Sequence, residues 1–376
     1  MSSRVETAAD HSRLIFTLTG DVAPQARVAA APPRVVVDLP EVAFRIDPRE
    51  GRSAAGSKLI RSYRYGQFAP GRSRVVVDLS GPARIVKTAC VAGQLEIELA
   101  PTSEAAFNAA VTQSAAQSVS LAPTQPAAAP APTAPPSDRP VVVIDPGHGG
   151  VDMGATGKHG EQEKAIVFEF ARALAAKIEE GGRLKPVLTR NEDVFLPLNE
   201  RVRIAHENNA ALFLSIHADT LAEGHVTGAT VYTVSARASD AEAARIAEKE
   251  NLADQAAGLE SKESVEEVGD ILHDLAKRET RAFSAQFSQA LISHWKEAGS
   301  LNKNPSRSAG FVVLKSYDIP SALLELGYLS SEKDLARLTS PEWRDQAAGK
   351  TAEAIEAFFA DRSREARAPQ KPPRPQ

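Results

Sequence analysis

Between Thr102 and Arg139 the sequence turns over to Ala, Pro, Gln, Ser and Thr, and Ala127 to Pro136 is almost entirely Ala and Pro. Such a stretch buries too little apolar surface to offset the entropy of ordering it, which predicts a flexible, partly extended linker over 102–139. The chain is thereby divided into two folded units, over 1–101 and 140–360. The 376 residues suit two domains plus connections. The last residues, Asp361 to Gln376, are rich in Arg and Pro and read as a disordered tail.

The two units differ in period. The first contains short β runs at Arg13–Leu18, Arg34–Leu39, Arg61–Tyr65, Arg74–Leu79 and Leu95–Leu99, separated by Gly, Pro and Asp, the pattern of an all-β sandwich. The hexapeptide Arg34-Val-Val-Val-Asp-Leu39 recurs unchanged as Arg74-Val-Val-Val-Asp-Leu79. The repeat suggests two related halves, each supplying a buried strand. The second unit alternates apolar strands (Val141–Ile144, Ala211–Ile216, Thr230–Ser235, Phe311–Leu314, Ser321–Glu325) with helical runs. That alternation predicts an α/β domain with a mostly parallel sheet covered by helices. Sites in such sheets lie beyond the carboxyl ends of the strands.

Candidate chemistry collects at those ends. Val141-Val-Val-Ile-Asp145-Pro-Gly-His148-Gly-Gly150 runs from a buried strand into a sharp turn, and Leu214-Ser-Ile-His217-Ala-Asp219 ends a second strand. Ala322-Leu-Leu-Glu325 ends a third, and Glu163 opens the helix after the His148 loop. Taken singly, each has an ordinary structural explanation: a hydrogen-bonded His, or a first-turn acid favoured by the helix dipole. Glu325 is harder to explain that way, because an unpaired carboxylate inside an apolar strand costs several kcal/mol. Together the residue types suit a catalytic zinc site, which takes three protein ligands and a water, with a carboxylate beside it. A net charge of −4 with mixed signs leaves no electrostatic footprint for nucleic acid. The single cysteine, Cys90, excludes an internal disulfide and any Cys-rich metal site.

The motifs Ile144-Asp-Pro-Gly-His-Gly-Gly150, Gly160-Glu-Gln-Glu163-Lys164, Leu198-Asn-Glu-Arg201, Ser215-Ile-His217-Ala-Asp219 and Leu324-Glu325-Leu-Gly-Tyr-Leu-Ser330, in this order, resemble the zinc-dependent N-acetylmuramoyl-L-alanine amidases of the amidase-3 type. The resemblance implies one Zn2+ held by His148, Glu163 and His217, with Glu325 as the catalytic carboxylate. It also implies cleavage of the amide between the lactyl group of muramic acid and L-alanine of the peptidoglycan stem. Asp145 and Asp219 are candidates to orient the two His ligands, or equally to cap the strand ends as polar residues; Arg201 matches a family position and could equally bridge helix and sheet. Two alternatives stand beside this reading: a zinc peptidase acting within the stem peptide, and a non-catalytic peptidoglycan-binding protein. The first unit resembles the AMIN domain found ahead of these amidases, and the combination resembles the cell-division amidases of Gram-negative bacteria.

A segment longer than a simple connection separates Thr230–Ser235 from Phe311–Leu314, with an inserted regulatory helical region expected over about 241–282. Ser264-Val-Glu266-Glu267 reads as a capping box, followed by an apolar stripe at helical spacing. In the division amidases an inserted helix presents a Glu to the zinc until an activator with a degenerate LytM domain relieves the block. By that resemblance Glu267, with Glu266 second, is the autoinhibitory candidate. The same resemblance implies a periplasmic address, with a signal peptide trimmed away ahead of residue 1, and with no long heptad run in the sequence a monomer is expected.

Overall fold

The computed structural model describes residues 2–8, 10–46, 57–121, 139–259, 271–316 and 318–367. The N-terminal unit is a sandwich of two antiparallel four-stranded sheets. One contains β1 (Ser2–Thr7), β2 (Ser12–Thr17), β7 (Ala83–Val91) and β8 (Gln94–Pro101) in the order β1-β2-β8-β7. The other contains β3 (Gln25–Ala29), β4 (Arg34–Pro40), β5 (Ile60–Ala69) and β6 (Arg72–Leu79) in the order β3-β4-β6-β5. Leu14, Phe16, Val35, Val37, Val75, Val77, Leu95 and Ile97 fill the space between them.

The repeated hexapeptide plays a different part from the one its duplication suggested. Both copies lie in the same sheet, as the adjacent antiparallel strands β4 and β6, with Val36 opposite Val76. Antiparallel pairing of two identical motifs sets the Arg of each opposite the Asp of the other: Arg34 faces Asp78 and Asp38 faces Arg74. Opposite charges across the ladder favour this register over a one-residue slip.

The Ala- and Pro-rich segment does not begin as an open linker. Helix α1 covers Glu104–Leu121, starting where Ser103 Oγ accepts the amide of Ala106 at 3.2 Å. Phe107 is only 3% exposed and belongs to the sandwich core. Ala is the best helix former, and one buried aromatic supplies the tertiary anchor that composition does not reveal. Residues 122–138 lie outside the described residues.

The C-terminal unit has a six-stranded sheet in the order β10-β9-β11-β14-β12-β13. Its strands are β9 (Val141–Pro146), β10 (Lys185–Leu188), β11 (Ala210–His217), β12 (Ala229–Val234), β13 (Leu301–Ala309) and β14 (Ser321–Glu325). β10, β9, β11 and β14 run parallel, and β12 reverses against β14. Apolar residues on alternate positions serve opposite faces: Val142, Ile144, Leu212 and Leu214 pack with helices α2 (Glu163–Gly181), α6 (Ile271–Trp295) and α8 (Pro341–Arg367). Val143, Phe213 and Leu323 pack on the other face with α3 (Leu198–Glu207) and α4 (Ala241–Asn251). The short α5 (Ala253–Ala256) follows α4, and α7 (Glu332–Leu338) precedes α8. Phe311–Leu314, expected as a strand, contributes a 3-10 turn at Val312–Leu314, and the strand is instead the more polar β13. The tail expected from Asp361 is helical to Arg367, with the Arg362 guanidinium 4.1 Å from the ring centre of Phe283. Among the described residues, no helix is long and apolar enough to cross a membrane.

Removing the anchor of α1 tests why that segment is helical. Phe107→Ala is expected to destabilise the sandwich by about 3–5 kcal/mol and to lower helical circular dichroism. Urea unfolding of the full chain reads both.

Candidate metal centre

Strands β9, β11 and β14 are neighbours, so their carboxyl ends lie side by side. Ser215 stands opposite Asp145, and His217 opposite Glu325. Beyond β9 the chain turns through His148 at φ 58°, a left-handed backbone rarely adopted by a non-glycine residue. Gly147 and Gly154 permit the crowding that follows. A Cβ on Gly147 would come within 2.5 Å of the His217 ring, and one on Gly154 within 2.6 Å of both Glu163 Oε2 and the His148 ring.

His148, Glu163 and His217 are brought together, all buried. Glu163 Oε2 is 3.1 Å from His148 Nε2, and its Oε1 is 3.2 Å from His217 Nδ1. The two carboxylate oxygens also accept the amides of Ala155 at 2.7 Å and Ala218 at 2.9 Å, which fixes the group at the start of α2. A fourth residue, absent from the sequence reading, joins them. Glu250 Oε2, from the last turn of α4, lies 3.4 Å from His148 Nε2 and 3.2 Å from His217 Nδ1. His148, His217 and Glu250 form the group of described residues whose donor atoms are close enough to hold one ion together.

The spacing suits a small tetrahedral cation. Bonds of about 2.0–2.1 Å, as zinc makes to His and carboxylate, set neighbouring ligand atoms about 3.3–3.4 Å apart. Glu250 Oε2 alone meets both imidazoles at such distances, 3.4 Å to His148 Nε2 and 3.2 Å to His217 Nδ1, while Glu163 meets the two rings through different oxygens. His148 presents Nε2 to the centre without a hydrogen bond, while its Nδ1 is 2.8 Å from Asp152 Oδ2, so the proton belongs on Nδ1 and the lone pair faces inward. Burial alone would depress the imidazole, but Asp152, Glu163 and Glu250 outweigh it and hold its pKa well above the usual value. Glu163 is held well below the carboxylate range, burial being outweighed by the two imidazoles. Glu325 moves the other way: burial, reinforced by Asp219, Glu163 and Glu250, raises it well above the usual value. Its Oε2 accepts the amide of Asp219 at 3.0 Å, and its Oε1 makes no hydrogen bond.

Of the two parts open to Asp145 and Asp219, the structure favours support of the strand ends over orientation of an imidazole. Asp145 touches no imidazole. It accepts Thr189 Oγ1 at 2.6 Å, Ser215 Oγ at 2.8 Å and Arg201 Nη1 at 2.8 Å. Arg201 also donates to the carbonyls of Pro146 and His148, so this pair shapes the loop backbone rather than the ring. The residue that orients His148 is Asp152, four positions on. Asp219 does not orient His217 either: it forms an ion pair with Lys249 and lends its amide to Glu325. Glu267 and Glu266 lie outside the described residues. A sequence signal for Glu250 did exist. The buried positions of α4 are Ala243, Ile246, Ala247 and Glu250, so an acid occupies the apolar stripe at i+7.

The chain as a whole has known relatives. The chain matches the N-acetylmuramoyl-L-alanine amidase family over residues 142–357 and the AMIN domain over 3–106. It is 32% identical over 378 residues to N-acetylmuramoyl-L-alanine amidase AmiC of Escherichia coli O6:H1, covering 95% of this chain and 89% of that protein. This chain belongs to the N-acetylmuramoyl-L-alanine amidase family. Amidase AmiA of Escherichia coli K12 is 36% identical over 220 residues, covering 58% of this chain and 76% of its own. Amidase AmiC of Neisseria meningitidis serogroup B is 29% identical over 373 residues, covering 95% and 89%. The family match spans the metal centre and the insertion that carries Glu250, and the AMIN match spans the sandwich.

The Asp145–Arg201 pair in this family member is open to direct test. Asp145→Asn leaves a buried guanidinium without its counter-charge and is expected to cost about 3–5 kcal/mol. Burial opposes ionisation of Asp145, but Arg201, Thr189 and Ser215 prevail and hold its pKa below the usual value. Its contribution is therefore complete above the unfolded value of about 3.9 and is lost as the pH falls through the lower folded value. Urea unfolding from pH 7 downward should show wild type and variant converging only below about pH 4.

Proposed function

We propose that this chain hydrolyses the amide between the muramic acid lactyl group and L-alanine in peptidoglycan, and that the state described is autoinhibited. The relatives named above carry that amidase name, and the donor set at the strand ends suits the chemistry. In this reading His148, Glu163 and His217 hold one zinc ion. Zinc, when bound, would polarise the scissile carbonyl and lower the pKa of a bound water to about 7. Glu325 takes the proton of the attacking water and hands it to the departing amine. Its raised pKa brings its affinity for a proton closer to that task at neutral pH. Asp152 fixes the His148 tautomer, and the amides of Ala155 and Ala218 fix Glu163.

The observation that carries the lock is the position of Glu250. A catalytic zinc site needs three protein ligands and an open fourth position, whereas four protein ligands make a closed, structural type of site. Glu250 supplies that fourth group, from a helix inserted between β12 and β13. Its own carboxyl is raised by burial, so the buried position is costly without a cation or a partner beside it. Withdrawal of α4 would open the coordination sphere and admit substrate. A LytM-domain activator is the class of partner proposed to cause it, in the periplasm during daughter-cell separation.

Zinc content and release from purified sacculi test this together. About one zinc per chain is expected in wild type, Glu250→Ala and Glu325→Ala. Without activator, Glu250→Ala should release material about tenfold or more faster than wild type. Glu325→Ala combined with Glu250→Ala should fall by about 10²–10⁴-fold from that level. The products must carry a free L-alanine amine on intact stem peptides; cleavage inside the stem would replace the amidase with a peptidase. Absence of zinc would sink the metal reading.

A further inference from the structure

The three-valine core of the repeated hexapeptide is buried on both faces, although a sandwich strand normally buries one. Val35, Val37, Val75 and Val77 point into the sandwich. Val36 and Val76 point the other way and are still fully buried, because the catalytic unit covers that face. What covers them is specific. Val76 packs with Val151, Phe195 and Ala257, and Phe68 of β5 stacks on Phe195 with ring centres 5.9 Å apart and planes 12° from parallel. Gly258 sits so close to β4 that a Cβ there would lie 2.7 Å from Val36 Cγ2.

Two arginines fasten the same point. Arg74, held by Asp38 at 2.6 Å and 3.0 Å, donates its remaining nitrogen to the Ala257 carbonyl at 2.8 Å. Arg27 donates to the Gly258 carbonyl at 2.7 Å. Ala257 and Gly258 are the exit of the α4–α5 segment that carries Glu250. The adjoining strand reaches the metal loop as well: the amide of Val151 donates to Gln67 at 3.2 Å. The sandwich thus holds both the helix bearing the blocking carboxylate and the loop bearing His148.

We propose that the N-terminal sandwich is part of the lock: its outer face, built from Val36, Val76, Arg27 and Arg74, clamps residues 253–259 and keeps Glu250 in the metal centre. This rests on the reading of Glu250 as the blocking group. Lys249, paired with Asp219 beside Glu325, fastens the same helix from the catalytic side. The clamp couples the two domains thermodynamically: whatever binds this outer face in place of residues 253–259 favours release of Glu250, and release of Glu250 frees the face.

Val36→Lys with Val76→Lys tests the clamp in the full chain, since neither side chain enters the sandwich core. Without activator, sacculus release is expected to rise by about fivefold or more, and amide exchange across residues 241–259 to quicken by a comparable factor. Glu250→Ala serves as the reference. If Glu250→Ala is active while the double variant stays silent with unchanged exchange, the clamp is overturned and the lock stands. If Glu250→Ala is itself silent, the lock fails, and exchange across 241–259 still decides whether the sandwich restrains that segment. Should the double variant unfold the sandwich, Arg27→Ala removes only the bond to Gly258; unchanged exchange there overturns the proposal.

Discussion

Asp145 is the point on which the catalytic unit is assembled. One buried carboxylate receives Thr189 from the end of β10, Ser215 from β11 and Arg201 from α3, and Arg201 continues to the carbonyls of Pro146 and His148. The ion pair thus joins the strand ends to the backbone of the His148 loop, which the Gly147 amide also ties to the Ile216 carbonyl of β11 and Arg190 to the carbonyls of Pro146 and Gly147. A buried pair of this kind contributes little net energy, because desolvation offsets the attraction. It contributes geometry: with both partners fully hydrogen-bonded, only one arrangement of strand ends leaves no charge unpaired.

That geometry gathers like charges. Glu163, Glu250, Glu325, Asp152 and Asp219 are all buried around two imidazoles. Their shifts separate them by role. Glu163, flanked by both imidazoles and two amides, stays ionised; Glu325, with one amide and acidic neighbours, holds a proton more tightly. Two buried carboxylates of one cluster are thus divided into a group suited to a cation and one suited to proton transfer, by surroundings alone. Such an excess of acid in low dielectric favours a divalent cation at the centre.

Control in the proposed reading uses the same economy of parts. The metal centre and the blocking glutamate come from one sheet edge and one inserted helix, and the sandwich reaches both through a face of two valines and two arginines. Because the repeated hexapeptides pair with each other, the middle valines form a two-sided apolar rib. Its inner neighbours make the sandwich, and its outer members bind the catalytic unit.

Much of this was legible in the sequence. Alternating apolar strands and helices dictated the α/β unit, and His148, His217 and Glu325 could be placed at strand ends because period and turn residues are local properties. Local patterns misassigned what long-range contacts decide. Asp145 stood open between imidazole partner and strand-end support, and the pleat turns it toward Arg201 while Asp152, after the turn, meets His148. The Ala-rich start of the linker became a helix because Phe107 found the sandwich core. Glu250 carried a signal, an acid on the apolar stripe of α4, but no local rule says where that stripe will dock. The sequence by itself determined the elements, their order and the chemical types at the strand ends, since these follow from side-chain period and backbone preference. Only the tertiary structure decided that, among the described residues of the insertion, Glu250 faces the two imidazoles, and which face of the sandwich packs against its segment, because both depend on packing between segments far apart in the chain.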